Sequence, residues 1–169
     1  MILYHGTNTE IEFVDLEKCR PFKDFGKGFY TTEIYEQAKK MAARVSRIYG
    51  GSPVVNVFEL SVDIKDYPGL NVLDFGEQPS KEWARFVMNN RNKSFTDYSD
   101  PECNFDYKYD IVIGPIADDD MTMLFRQYQN KMISFDMLIK GMTFKDVTNQ
   151  ISFHTHESLK LLKKAGTIK

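Results

Sequence analysis

Apolar and polar residues follow one another along this chain in short blocks, and the blocks set out its elements. The apolar opening "MILYH" predicts a short buried strand. Residues 8–27 read mostly as loop, with a short strand expected over 11–14, and "GFYTT" predicts a strand that runs into a helix. Thr32 is the expected N-cap of that helix, and Glu33 and Glu36 stand in its first turn, where carboxylates favour the helix dipole. Ile34, Ala38, Met41, Ala42, Val45 and Ile48 recur at helical spacing and predict its buried face, and Gly50-Gly51 ends it. "PVVNVFELSV" (53–62) places Val54, Phe58, Leu60 and Val62 on one face of a strand, and "LNVLDF" (70–75) predicts a shorter one. Ser80 caps a predicted helix that buries Trp83, Phe86 and Val87, and the polar, turn-rich residues 92–108 predict a surface loop. "YDIVIGPIA" (109–117) reads as a central strand. It precedes a helix carrying Met121, Leu124, Phe125 and Tyr128, and another over 134–141. "QISFHT" (150–155) predicts a late strand, and "ESLKLLKKAG" a closing amphipathic helix. Strands and helices without a regular βαβ rhythm imply one α+β domain over 1–169.

Composition narrows the function. The 169 residues are 42% hydrophobic and 14% aromatic, enough for a packed core and against disorder. A net charge of −2 lacks the basic excess of a general nucleic-acid binder. No apolar run is long enough to span a bilayer, so no membrane partner is expected. "MILYHG" lacks the features of a signal peptide, which makes the expected location cytoplasmic, and Cys19 and Cys103 free thiols.

Three motifs carry candidate chemistry. In "YHGT" (4–7), His5 offers a donor or acceptor, Gly6 allows close approach to the backbone, and Thr7 adds a hydroxyl. In "GKGFYTT" (26–32), Gly26 and Gly28 free a turn, while Phe29 and Tyr30 point to opposite faces of a strand. One of these rings can stack on a flat heterocycle, and Arg20, Lys23 and Lys27 in the approach loop can meet a phosphate. In "NQISFHT" (149–155), Gln150 opens a strand. Each motif alone also reads as ordinary structure: a core histidine, a glycine turn, a polar strand end.

The order of the three motifs over nearly the whole chain resembles the ADP-ribosyltransferase superfamily, in the branch of diphtheria-like toxins and poly(ADP-ribose) polymerases. Together with "YDIVIGPIADD", it is similar to a bacterial family placed there. The resemblance implies an α+β fold of small, split, antiparallel-rich sheets with flanking helices. It implies NAD as co-substrate and cleavage of the nicotinamide–ribose bond, with single transfer of ADP-ribose to an acceptor (a protein, nucleic acid or small molecule). His5, Tyr30 and Gln150 would be the catalytic set. His5 would hold the adenosine ribose, Gly6 backbone groups the carboxamide, and Tyr30 the nicotinamide ring. Thr7, Arg20, Lys27, Gly28, Phe29, Thr31 and Thr32 would complete the NAD site. A bacterial toxin restrained by an antitoxin protein is a further implication.

Gln150 stands where the superfamily usually has Glu. It can accept a hydrogen bond but supplies no negative charge, a difference of roughly 4 kcal/mol at about 4 Å and an effective dielectric of about 20. A slow transferase, an NAD glycohydrolase or a catalytically inactive NAD- or ADP-ribose-binding module all fit that change, as does a carboxylate borrowed from Asp118, Asp119 or Asp120. A three-histidine metal site from His5, His154 and His156 is the competing chemistry.

Overall fold

A computed structural model describes residues 1–65, 67–143 and 147–169. Among the described residues, seven strands form two sheets. Strands β1 (Ile2–Thr7), β3 (Val54–Leu60) and β7 (Leu162–Ile168) make an antiparallel sheet in the order β1-β3-β7. Strands β2 (Phe29–Thr31), β4 (Val72–Asp74), β5 (Ile111–Pro115) and β6 (Asn149–Phe153) make a second sheet in the order β2-β6-β5-β4, antiparallel except for β4 with β5. The fold is therefore α+β with antiparallel-rich sheets and flanking helices.

The sheets enclose one core between them. Leu3, Phe29, Phe58, Leu60, Ile111, Ile113, Ile151 and Phe153 meet there, drawn from both sheets. Each fully buried aromatic or aliphatic side chain contributes about 1.5–3 kcal/mol. Helix α1 (Tyr35–Tyr49) covers the outer face of the first sheet through Ala38 and Ala42. Helices α2 (Lys81–Arg91), α3 (Asp119–Gln129) and α4 (Phe135–Met142) cover the second sheet, around Phe25, Trp83, Phe86, Val112, Met121, Phe125 and Leu138. Ser80 caps α2 by accepting from the Trp83 amide at 3.1 Å, and the Trp83 indole N–H donates to the Pro115 carbonyl at 3.1 Å, fixing α2 to β5.

Four expectations are corrected. Residues 11–14 form no strand; Phe13 is 90% exposed there. Thr32 is not the cap of α1: it bridges Tyr4 of β1, and the helix starts three residues later, after Ile34, with only a bond from the Ile34 amide to Thr32 Oγ1. Of the predicted buried face of α1 only Ala38 and Ala42 are buried, Val45 is half-buried, and Ile34, Met41 and Ile48 are exposed; the helix meets β1 through the two alanines, where Gly6 comes against its backbone, and through Tyr35, whose ring packs on Tyr4. Finally, the closing segment is a single helical turn, α5 (His156–Leu159), followed by strand β7. Thr155 caps that turn, and the rest of the segment takes up the unpaired side of β3. Satisfying a whole strand edge outweighs the helical spacing of Leu159, Leu161 and Leu162.

Candidate functional site

Among the described residues the backbones of the two sheets pair at one bridge, Tyr4 with Thr32, and then part, and that parting builds the site. Tyr4 and Thr32 exchange both backbone hydrogen bonds, at 2.8 and 3.0 Å. In this antiparallel register the next facing pair is Gly6 and Tyr30. The alternation of an antiparallel ladder turns the N–H and C=O of Gly6 towards β2 rather than towards β3. No Gly6–Tyr30 bond forms. The Tyr30 carbonyl instead accepts from His5 Nδ1 at 2.7 Å. Gly6 is buried, and its N–H and C=O have no partner among the described residues. A buried backbone pair without a partner is rare, because each lost hydrogen bond is costly.

His5 lies on the inner face of β1, its ring 4.4 Å from that of Phe29. The Tyr30 carbonyl can only accept, so Nδ1 carries the hydrogen and Nε2 is a bare acceptor. Burial lowers the His5 pKa; the bond to Tyr30 opposes this, and nearby Lys164 and Lys23 add to the lowering. The ring is therefore neutral at pH 7. Nε2 has no protein partner among the described residues and is not sealed from solvent.

Tyr30 and Gln150 point to the other side, the outer face of the second sheet. The Tyr30 hydroxyl donates to the Gly26 carbonyl at 2.7 Å and accepts from the Phe25 amide at 2.9 Å, so it pins the loop before β2. The Tyr30 ring stacks on Phe25 at 6.3 Å, and burial raises the phenol pKa. Gln150 stands one residue before Ile151, the partner of Thr31, and pairs with Gly114 of β5. Its Nε2 donates to Asp24 Oδ2 at 2.9 Å, with the Pro115 carbonyl at 3.4 Å. Gln150 is buried, but its Oε1 takes no hydrogen bond among the described residues and is not fully sealed from solvent. Asp24 is 7% exposed and also binds Arg91, through Nε at 2.8 Å and Nη2 at 2.6 Å, and the Ala117 amide at 3.1 Å.

The remaining predicted residues divide into wall and framework. Thr7 ends β1 beside Asn8, which binds the Gly50 carbonyl. Arg20 stacks over Tyr49 at 4.3 Å and donates to its hydroxyl, tying the approach loop to the end of α1. Lys27 pairs with Glu17 at 3.0 Å, and this bond raises its pKa. Phe29 is buried beneath His5, and Thr31 donates to the Ile151 carbonyl within the sheet. Thr32 donates to Gln37 Oε1 at 3.0 Å, and Gln37 Nε2 donates to Thr148 Oγ1, a polar chain alongside Gln150. Asp118 caps α3 through the Met121 amide, and Asp119 lies 4.0 Å from Arg44 on the surface.

Gly28 has a packing reason of its own. A Cβ there would lie 2.5 Å from His154 Nδ1 and 2.8 Å from the Phe153 carbonyl. His154 is 2% exposed; its Nδ1 donates to the Lys27 carbonyl at 2.8 Å and its Nε2 meets the Ser152 hydroxyl at 2.8 Å. We expect Gly28→Ala to break the His154–Lys27 bond and to cost about 2 kcal/mol. Urea denaturation tests this, and a loss below about 0.5 kcal/mol would contradict it.

The histidines do not cluster. His154 is a satisfied core residue, exposed His156 opens α5, and among the described residues no group of three His, Cys, Asp or Glu could hold a metal. Cys19 and Cys103 are both free thiols. No helix among the described residues is long and apolar enough to cross a membrane. Sequence reasoning missed Asp24 and Arg91. The only hint was position: Asp24 opens the stretch "DFGKGFYTT", but its partners lie 67 and 126 residues away.

Fold and site together define a small α+β domain whose two sheets part around a buried, unpaired backbone edge. The chain belongs to the family described as a protein of unknown function (DUF3990), whose model matches residues 1–164. Neither a curated protein nor a solved structure matches it.

Proposed function

We propose that the chain is an NAD-dependent mono-ADP-ribosyltransferase, as the resemblance of its motifs implies. The observation that carries this reading is the unpaired N–H and C=O of Gly6 at the parting of β1 and β2, next to a neutral His5. One donor and one acceptor on a strand edge match a primary carboxamide, such as that of nicotinamide, which offers the complementary pair. His5 Nε2 can accept from a ribose hydroxyl. Gln150 Oε1 is a second acceptor on the adjoining strand arrangement and would take the hydroxyl of the ribose that loses nicotinamide.

In the reaction the carbon–nitrogen bond breaks and nicotinamide leaves with the electron pair. A nucleophile of the acceptor then bonds to the ribose carbon and gives up its proton. Positive charge develops on the ribose, and Gln150 meets it with a carbonyl dipole rather than a carboxylate. Turnover is accordingly slow, and chain extension is not expected.

Calorimetry with NAD beside a nicotinamide-release assay tests the reading. Binding with slow release supports a transferase or glycohydrolase. Binding without release supports the NAD- or ADP-ribose-binding module, and neither binding nor release sinks the proposal. Gln150→Ala should keep the fold and lower release at least a hundredfold, about 2.7 kcal/mol; wild-type release in that variant would remove Gln150 from the mechanism. Labelled NAD in a cell lysate would then identify the acceptor.

A further inference from the structure

A side-chain amide can present either its nitrogen or its oxygen to a ligand, and the structure assigns which end Gln150 presents. The two oxygens of Asp24 face four N–H groups: Arg91 Nε and Nη2 on Oδ1, and the Ala117 amide and Gln150 Nε2 on Oδ2. Every neighbour is a donor, so only an acceptor-only group serves them all. Turning the Gln150 amide over would set its oxygen against the Asp24 carboxylate and the Pro115 carbonyl. We propose that Asp24 is a positioning residue that fixes the polarity of the Gln150 amide, nitrogen inward, and so keeps Oε1 as the hydrogen-bond acceptor of the site. Its effect on turnover rests on the NAD reading above, whereas its effect on Gln150 does not.

The same contact accounts for the glutamine. A glutamate at 150 would bring a second carboxylate to about 2.9 Å from Asp24 Oδ2, the present N–O separation. Two carboxylates at that distance cannot both be ionised, so the pair would hold a proton. Arg91 offsets only one of the two charges: its contacts go to Asp24 Oδ1, Thr122 Oγ1 and the Ala117 carbonyl, and none goes to residue 150. With aspartate at 24, an amide at 150 is the residue that completes the network.

The test uses the full chain with nitrogen-15 label. In the wild type the Gln150 side-chain amide should give a resonance protected from solvent exchange. Asp24→Asn, checked for a cooperative melt, should shift that resonance and speed its exchange about tenfold or more, the loss of one good hydrogen bond. In the nicotinamide-release assay the same variant should lose about tenfold or more in kcat with KM changed by less than about threefold. An unchanged Gln150 resonance, or wild-type kcat in a folded Asp24→Asn, overturns the proposal. Should Asp24→Asn fail to fold, Gln150→Glu and the double variant Asp24→Asn/Gln150→Glu decide it. The double variant restores one donor against one carboxylate and should be more stable than Gln150→Glu alone at pH 7; equal or lower stability overturns the proposal. A wild type that releases no nicotinamide would sink the transferase reading, and the resonance would still decide the role of Asp24.

Discussion

Gly6→Ala is expected to cost the protein at least about 3 kcal/mol, the upper range of overpacking penalties. A Cβ on Gly6 would sit 1.9 Å from the Ala38 carbonyl oxygen and 2.8 Å from the Ala42 nitrogen. Both are backbone atoms of α1, so no rotamer change can relieve the clash, and the helix would have to lift from the sheet. Ala38 and Ala42, at 2% and 0% exposure, record how closely β1 and α1 approach. Lifting α1 would also draw Gln37 away from Thr32 and Thr148, beside Gln150. Gly6 therefore has two separable duties: its missing side chain admits the helix, while its N–H and C=O face the parting of the sheets. Urea denaturation of the variant measures the first, and a loss under about 1 kcal/mol would show that α1 yields more easily than its packing implies.

Acidification should cost nearly as much. Burial lowers the His154 pKa from 6.5 to about 4, against smaller opposing effects from the Lys27 carbonyl and Asp110. The folded chain thus keeps the ring neutral where the unfolded chain protonates it. As pH falls through 6.5 the unfolded state takes up a proton that the folded state refuses until about pH 4. Stability from this residue is complete above pH 6.5 and lost progressively down to about 4, by about 3 kcal/mol. His5 shifts in the same direction and adds to the slope. Denaturation of the wild type and His154→Gln at pH 7, 5.5 and 4 isolates the contribution. The variant should be less stable at pH 7 but flatter with pH, and parallel curves would remove His154 as the cause.

The elements that could be read along the chain were those with local causes. Ser80 caps α2 and Trp83, Phe86 and Val87 are buried, because a cap and a helical stripe are settled within a few residues. "YDIVIGPIA" became β5, inside its sheet, because an unbroken apolar run needs cover on both faces. The closing helix failed because its competitor was not local. Residues 162–168 compete between a helix and the open edge of β3, and that edge comes from more than a hundred positions earlier. The buried face of α1 failed for a similar reason: spacing marked Met41 and Ile48 as apolar but could not tell that the helix would meet β1 through Ala38 and Ala42, where Gly6 comes against its backbone.

The stretch "DFGKGFYTT" shows the same division within the site. From the sequence alone came its glycine turn, its strand, and its place between "YHGT" and "NQISFHT", all properties of residue type and order. The tertiary structure decided what each part touches. Tyr30 spends its hydroxyl on the loop before it, Gly28 makes room for His154, and Asp24 grips Gln150. A hydrogen bond between residues 24 and 150 leaves no periodic trace in the chain, since neither residue's spacing depends on the other. The pairing of β2 with β6, and the bonds from Arg91 and the Ala117 amide that hold Asp24, bring them together, and with them the acceptor on which the proposed chemistry turns.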